Sequence, residues 1–232
     1  MNPAPWLSDV GDLGPFFAVH THDAGAVASS PWRSMRELVD SPDVLAERVS
    51  AVRSHLAGGG GRPSERVAAS VAHLGLVARL ASPAIGLAVH SGRWIGTDLA
   101  DLWWQPTLGG AFPLSIGVAE VSGPVLGGAV VELTRAVRGF SVSERVLWGN
   151  VASAINGAGA VIRAGRPALA ARADAVVARL LALPPLRHTS TRRPDGRFQR
   201  LSCCLIYQAS PTRGRDNVCG DCVLAPVQRR PV

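Results

Sequence analysis

Apolar residues recur at helical spacing along most of the chain between residues 42 and 183. A first stripe consists of Val44, Leu45, Val49, Val52 and Leu56, and the four glycines at 58–61 end it. Similar stripes predict helices over 63–80, 83–90, 124–138, 141–163 and 167–183. Pro83 is expected to begin a short helix of its own rather than to lie inside a longer one.

The helical period is lost between residues 91 and 124, where glycine, proline and tryptophan accumulate. Weak alternation over 93–97 and 114–120 indicates two short strands that could pair as a hairpin. The pattern therefore predicts a mainly α (α+β) fold. We expect a loosely structured N-terminal arm over 1–31, a mainly helical domain with a small β element over 32–185, and an irregular C-terminal lobe over 186–232.

Composition and charge indicate a globular protein with a basic C-terminal region. Hydrophobic residues make up 47% of the chain and charged residues 18%, which excludes a disordered chain. The formal net charge is +7, and from Arg187 onward nine arginines face only three aspartates. Such a field attracts acidic partners. Nucleic acid is the less favoured partner, because aromatic content is 5% and no helix-turn-helix or zinc-finger pattern is present.

No stretch of the sequence is expected to cross a membrane. Residues 102–119 and 146–162 carry no charge, but the first contains prolines and glycines and the second contains asparagines and a serine. The first nine residues lack the basic start and apolar run of a signal peptide. The expected location is the cytoplasm, where thiols stay reduced.

All four cysteines lie close to the C-terminus, as Cys203-Cys204 and Cys219-Gly-Asp-Cys222. Two disulfides are disfavoured, since adjacent cysteines pair poorly and nothing signals secretion. A C-x2-C pair suits zinc, but Cys203-Cys204 does not make a second pair of that kind unless the backbone bends. A [2Fe–2S] cluster spreads four thiolates over two irons and accepts more varied spacing. Spacing alone leaves the cluster, zinc and redox-active thiols open.

Two blocks carry a resemblance to a known family. Ser-Cys-Cys-Leu-Ile-Tyr over 202–207 and Val-Cys-Gly-Asp-Cys-Val-Leu over 218–224 resemble the C-terminal signature of FhuF-type ferric-siderophore reductases. Leu-Trp-Gly-Asn-Val-Ala-Ser-Ala over 147–154 resembles that family's central helix. Fourteen residues separate the two cysteine pairs, more than is usual in the family, and the extra ones fall in a polar segment over 210–217 that is expected to bulge outward.

The resemblance implies that Cys203, Cys204, Cys219 and Cys222 hold a [2Fe–2S] cluster that reduces the ferric iron of a hydroxamate siderophore. Because the sequence has no G-x-G-x-x-G fingerprint, we expect an external electron donor of the ferredoxin or flavodoxin kind. A zinc-stapled binding module with a basic tail and an iron–sulfur redox sensor are the alternatives.

Four further residues are candidates for contact with the substrate. Trp103 and Trp104 could form the wall of a siderophore site, although core packing is the commoner role of such tryptophans. Asn150 is the polar outlier on an apolar helix face and could hold the cysteine loop or a substrate oxygen. Arg200 belongs to the arginines that surround the cysteines.

Overall fold

The structure is a computed structural model that describes residues 6–23, 25–96, 98–117, 120–121, 127–211 and 218–225. Helices account for 54% of the chain and strands for about 10%, so the predicted mainly α fold with a small β part is confirmed. The helices are α1 (Trp6–Gly11), α2 (Glu37–Asp40), α3 (Pro42–Ala57), α4 (Glu65–Ser91), α5 (Gly128–Val137), α6 (Glu144–Gly165) and α7 (Ala170–Leu181). The predicted start of α5 at residue 124 lies outside the described residues.

Helix α4 is the centre of the fold and packs against α1, α3, α5, α6 and α7. The Ser64 side chain caps its first turn by accepting a hydrogen bond from the Val67 N–H, and Gly92 ends it in the left-handed conformation with φ 77°. The prediction that Pro83 begins a separate helix is wrong, because α4 continues through it. Burial on both sides of Pro83, at Leu80, Ile85 and Leu87 among others, outweighs the loss of one backbone hydrogen bond.

By length and composition α4 could also cross a membrane, but 67% of its apolar window is buried inside the protein. Packing in the core therefore accounts for the apolar composition of this helix. Helix α6, which contains the uncharged stretch 146–162, is likewise a core helix with Leu147, Val151, Ile155 and Ile162 buried.

Among the described residues, short strands form two small sheets beside the helices and a third, two-stranded one in the C-terminal lobe. A four-stranded sheet has the order β1-β5-β4-β2, in which β1 is parallel to β5 and the other neighbours are antiparallel. Its strands are β1 (His20–His22), β2 (Arg33–Ser34), β4 (Leu102–Trp104) and β5 (Leu114–Gly117). A separate antiparallel pair joins β3 (Trp94–Ile95) to β6 (Glu120–Val121). Both predicted segments contain strand, but the predicted hairpin between them is largely wrong. The first four residues of the second segment form β5 and pair with β1 and β4, and only Glu120 pairs with the first segment. Residues 97, 118 and 119 lie outside the described part.

The segment predicted as a loose N-terminal arm is ordered where the structure describes it, and this corrects the sequence-based expectation. Val10 and Phe17 are buried in the core. The buried Arg79 side chain on α4 donates hydrogen bonds to the carbonyls of Phe16, Ala18 and Phe112. A single guanidinium thus ties the arm and the small sheet to the central helix.

The C-terminal lobe is less irregular than expected. It contains an antiparallel hairpin of β7 (Ser190–Arg192) and β8 (Phe198–Arg200), followed by a 3-10 helix over Ile206–Ala209. The hairpin turn is closed by a hydrogen bond from the Arg193 N–H to the Arg197 carbonyl at 2.8 Å. The lobe contacts α6 through β8 and α4 through the 3-10 helix. Residues 212–217, which hold most of the polar segment expected to bulge outward, lie outside the described part.

Candidate functional site

The hairpin holds the two cysteine segments together from one side. The Arg200 N–H donates to the Asp221 carbonyl at 2.8 Å, so the backbone of β8 pairs with the turn between Cys219 and Cys222. The Cys222 carbonyl accepts from the Gln199 amide at 3.3 Å and from Arg193 at 3.4 Å. These contacts fix the second cysteine pair on the strand that leads directly into the first pair.

Helices α4 and α6 hold the adjacent pair from the other side. The Ser70 hydroxyl on α4 donates to the Cys204 carbonyl at 2.8 Å. The Asn150 amide on α6 donates to the Ser70 carbonyl at 3.0 Å and to the Ser70 hydroxyl at 3.2 Å. Gly149 lets the Cys-Cys segment approach α6, since a Cβ there would lie 2.0 Å from the Ser202 hydroxyl oxygen. The cysteine loop is therefore anchored on the two longest helices of the fold.

A sharp bend follows the adjacent cysteines. Leu205 has φ 69°, a left-handed conformation that costs a residue with a side chain about 1–3 kcal/mol. The Leu205 N–H donates to the Cys203 sulfur at 3.3 Å, and the Ile206 N–H donates to the Cys204 sulfur. The Leu224 N–H makes the equivalent bond to the Cys222 sulfur at 3.4 Å. The bend supplies the backbone change without which adjacent cysteine side chains diverge, and the N–H donors favour thiolates.

The four thiols contact one another in succession. Cys204 Sγ lies 3.3 Å from Cys219 Sγ, and Cys203 interacts with both Cys204 and Cys222. Hydrogen bonds from Cys203 and Cys219, with the nearby charge of Arg200, lower the pKa of the Cys204 thiol. The same bonds, together with burial, raise the pKa of the Cys203 and Cys219 thiols. Among these three thiols, Cys204 is the one whose pKa its surroundings lower.

Arg200 is a charged residue buried beside the cysteines, with 0% of its surface exposed. Its Nη1 donates to Asn150 Oδ1 at 3.1 Å, and its Nη2 lies 3.1 Å from Asp221 Oδ1. Burial by itself would lower the pKa of Arg200, but the charges of Asp221 and Cys204 outweigh burial and raise it. The Arg200 guanidinium also hydrogen-bonds the Cys204 sulfur, and its Nε makes no hydrogen bond within the described part of the chain. A buried guanidinium that contacts both a carboxylate and a thiol favours negative charge on the cysteines.

A metal centre held by four thiolates fits this chemistry, although the sulfurs would have to shift. The described residues contain no group of three or more His, Cys, Asp or Glu side chains arranged around a single metal ion. Tetrahedral ligands at about 2.3 Å from zinc lie about 3.8 Å apart, so Cys204 and Cys219, at 3.3 Å, would have to separate slightly. A [2Fe–2S] cluster takes two thiolates on each of two irons, so the two pairs of sulfurs would have to move apart to admit the iron–sulfide core.

One edge of the cysteine group faces outward. Cys203 and Cys219 are partly exposed, whereas Cys204 and Cys222 are buried. Each pair of the sequence therefore contributes one inner and one outer sulfur. A redox group held here would be shielded by protein on one side and reachable by a partner on the other.

The structure does not bring the four residues predicted to contact substrate together at the surface. Trp104 is 1% exposed and packs edge-on against Phe112 in the core, so it forms no substrate wall. Trp103 is partly exposed on the same strand and stacks on His22, with ring centroids 3.7 Å apart. Asn150 and Arg200 are fully buried, which leaves them as supports of the cysteine loop rather than as substrate contacts.

Two supporting residues were missed by the sequence reasoning. Asp221 pairs with Arg200 and accepts a hydrogen bond from Ser153 at 2.5 Å. Its position inside the C-x2-C pair was the available signal. Ser70 is a polar residue inside an apolar helix pattern, and that contrast was the only sign of its role.

No protein-family model matches this chain, and no curated protein matches it either.

Proposed function

We propose that this protein is a cytoplasmic [2Fe–2S] ferric-siderophore reductase that acts on siderophores of the hydroxamate type. The observation that carries the proposal is the group of four successive thiols beside a fully buried arginine that hydrogen-bonds Cys204 and keeps one N–H, on Nε, unpaired among the described residues. Thiolates and bound sulfide are acceptors for such donors, and a buried cation offsets the negative charge of a four-thiolate cluster.

Each residue of the site has a role in this proposal. Cys203, Cys204, Cys219 and Cys222 would hold the cluster, which when bound supplies a site for transfer of a single electron. Arg200 balances charge, and Asn150 with Ser70 fixes the loop that carries the adjacent cysteines. The outward edge at Cys203 and Cys219 is where a substrate would approach.

The reaction is a one-electron reduction of Fe(III) in the siderophore complex to Fe(II), with no bond to the siderophore broken by an acid, a base or a nucleophile. A ferredoxin- or flavodoxin-like protein supplies the electron. The siderophore binds Fe(II) much more weakly than Fe(III), so the metal is released. The basic C-terminal region suits an acidic donor of this kind.

Anaerobic purification of the full chain tests the proposal. We expect a coloured protein with two irons and two sulfides per chain. After chemical reduction, mixing with a ferric tris-hydroxamate should reoxidise the protein while an Fe(II) chelator traps the released iron. A colourless protein with one zinc would overturn the proposal in favour of a zinc-stapled module. A coloured protein that stays reduced with every ferric complex would be a redox sensor.

A further inference from the structure

A charged groove lies directly beside the second cysteine pair. It has a volume of about 470 Å³ and runs between α6, α7, the β7–β8 hairpin and the turn that joins Cys219 to Cys222. Its ionisable lining consists of Arg163, Asp174, Arg192, Arg197 and Asp221. A volume of this size is typical of sites for small molecules.

The charges of the groove do not cancel. Arg163 forms an ion pair with Asp174 at 2.8 Å. The Asp221 carboxylate is paired with the buried Arg200, whose Nη2 lies 3.1 Å from Asp221 Oδ1. Two guanidinium groups, Arg192 and Arg197, remain without a carboxylate partner among the described residues, and Arg192 bonds only to the Gly196 carbonyl of its own hairpin turn. The groove therefore presents two arginine side chains without an ion pair among the described residues, and the Asp195 carboxylate of the hairpin turn, which accepts the Arg197 N–H at 2.9 Å, offsets part of their charge.

The groove also reaches the redox site. Gly220 and Asp221 form one wall, and they are the two residues between Cys219 and Cys222. Gly220 is exposed, and a Cβ built on it would meet no atom within 4 Å, so the turn is open to a ligand. A molecule in the groove would lie against the segment that carries the partly exposed Cys219.

We infer that this groove binds the ferric complex, and that it selects complexes with a net negative charge. The inference rests on the proposed function and narrows its substrates to ferric complexes whose siderophore also carries carboxylates. A tris-hydroxamate complex of Fe(III) is neutral, because three hydroxamate anions balance the metal, and it gains little from Arg192 and Arg197. A complex whose ligand also carries carboxylates is anionic and is attracted by both arginines. The volume of the groove matches such a small complex rather than the broad surface of an acidic electron carrier.

Gallium(III) complexes test binding without reduction, because Ga(III) has the same charge as Fe(III) and accepts no electron under these conditions. Calorimetric titration of the full-length protein would compare gallium citrate, which is anionic, with a neutral gallium tris-hydroxamate. We expect the anionic complex to bind at least about tenfold more tightly at low salt. Its affinity should fall as ionic strength rises, while that of the neutral complex should not.

The double variant Arg192→Gln/Arg197→Gln should lose about tenfold or more of its affinity for gallium citrate. The matched control is Arg66→Gln/Arg135→Gln, which removes two exposed arginines outside the groove and should bind normally. Equal affinity for both complexes, no binding of gallium citrate, or an equal loss in the two double variants would each overturn the inference.

The outcomes for binding and for reduction are separable. If gallium citrate binds through Arg192 and Arg197 but no ferric complex reoxidises the reduced protein, the groove stands and the reductase proposal fails. If ferric complexes are reduced but the groove variant behaves as the wild type toward anionic and neutral complexes alike, the reductase proposal stands and the groove fails.

Discussion

Replacement of Asn150 by alanine probes the link between the helical domain and the cysteine loop. The Asn150 amide is fully buried and makes three hydrogen bonds, two to Ser70 and one from Arg200. The orientation of the amide is determined by its neighbours, since the Ser70 carbonyl can only accept and the guanidinium can only donate. Alanine removes all three bonds and leaves Arg200 Nη1 without its acceptor, beside an Nε that already has none among the described residues.

The magnitude follows from the kinds of bond that are lost. A hydrogen bond to a charged group contributes about 1.5–3 kcal/mol and a neutral one about 1 kcal/mol. One charged and two neutral bonds together predict a loss of about 3.5–5 kcal/mol in the free energy of unfolding. That is a large part of the 5–15 kcal/mol typical of a folded domain, and it corresponds to a fall of ~1 M or more in the urea midpoint.

Two measurements would check this prediction, with Asn156→Ala as the control. Asn156 is partly exposed on the same helix and makes no hydrogen bond among the described residues. Urea unfolding measures stability, and the rate at which Cys204 reacts with a thiol reagent in the metal-free protein measures whether its loop has loosened. We expect Asn150→Ala to lower the midpoint and speed the reaction, and Asn156→Ala to do neither. An unchanged Cys204 rate in a destabilised Asn150→Ala protein would show that the asparagine stabilises the core without holding the loop.

Three further predictions follow from other contacts. Gly61→Ala would place a Cβ 1.8 Å from the Ala209 carbonyl oxygen, so we expect thermal unfolding to show about 1–3 kcal/mol of destabilisation. The control is Gly59→Ala, whose Cβ would meet no atom closer than 3.6 Å and which should change stability by less than about 0.5 kcal/mol. Burial lowers the pKa of His73 to about 3, below its ordinary value of 6.5. The unfolded chain then binds a proton that the folded protein rejects, so stability is fully present above pH 6.5 and should fall by about 3 kcal/mol by pH 4, a loss that a His73→Leu variant should not show in urea titrations. Asp221→Asn removes the carboxylate beside the buried arginine. We expect the reduction potential of the cluster-loaded protein to rise on the order of 50 mV in a dye-coupled titration. An unchanged potential would be evidence against a cluster at this place.

The helices could largely be predicted from the sequence because apolar periodicity reflects the face that each helix buries. The exception was Pro83, where local backbone chemistry predicted a boundary and packing on both sides of α4 overrode it. The order of the N-terminal arm was not predictable either. It depends on Arg79, whose three carbonyl partners lie far away in sequence and leave no periodic signal.

The cysteines stood out in the sequence because all four are clustered near the C-terminus at an unusual spacing. The residues that support them did not stand out. Asn150 was recognised as a polar outlier, yet the sequence could not separate a role in the loop from a role toward substrate. Burial separates them, because a fully buried amide cannot reach a ligand that arrives from solvent. The same reasoning moves Arg200 from the docking surface to the interior, and the groove places Arg192 and Arg197 on the outside instead.

The pairing of Arg200 with Asp221 has a consequence for redox chemistry at the cysteines. A lone buried guanidinium would stabilise added negative charge and so favour the reduced state of any centre beside it. Asp221, 3.1 Å away, cancels much of that effect. In the proposed reductase, this carboxylate would therefore keep the potential of a bound cluster lower than the arginine alone would, which suits a donor of electrons to ferric complexes.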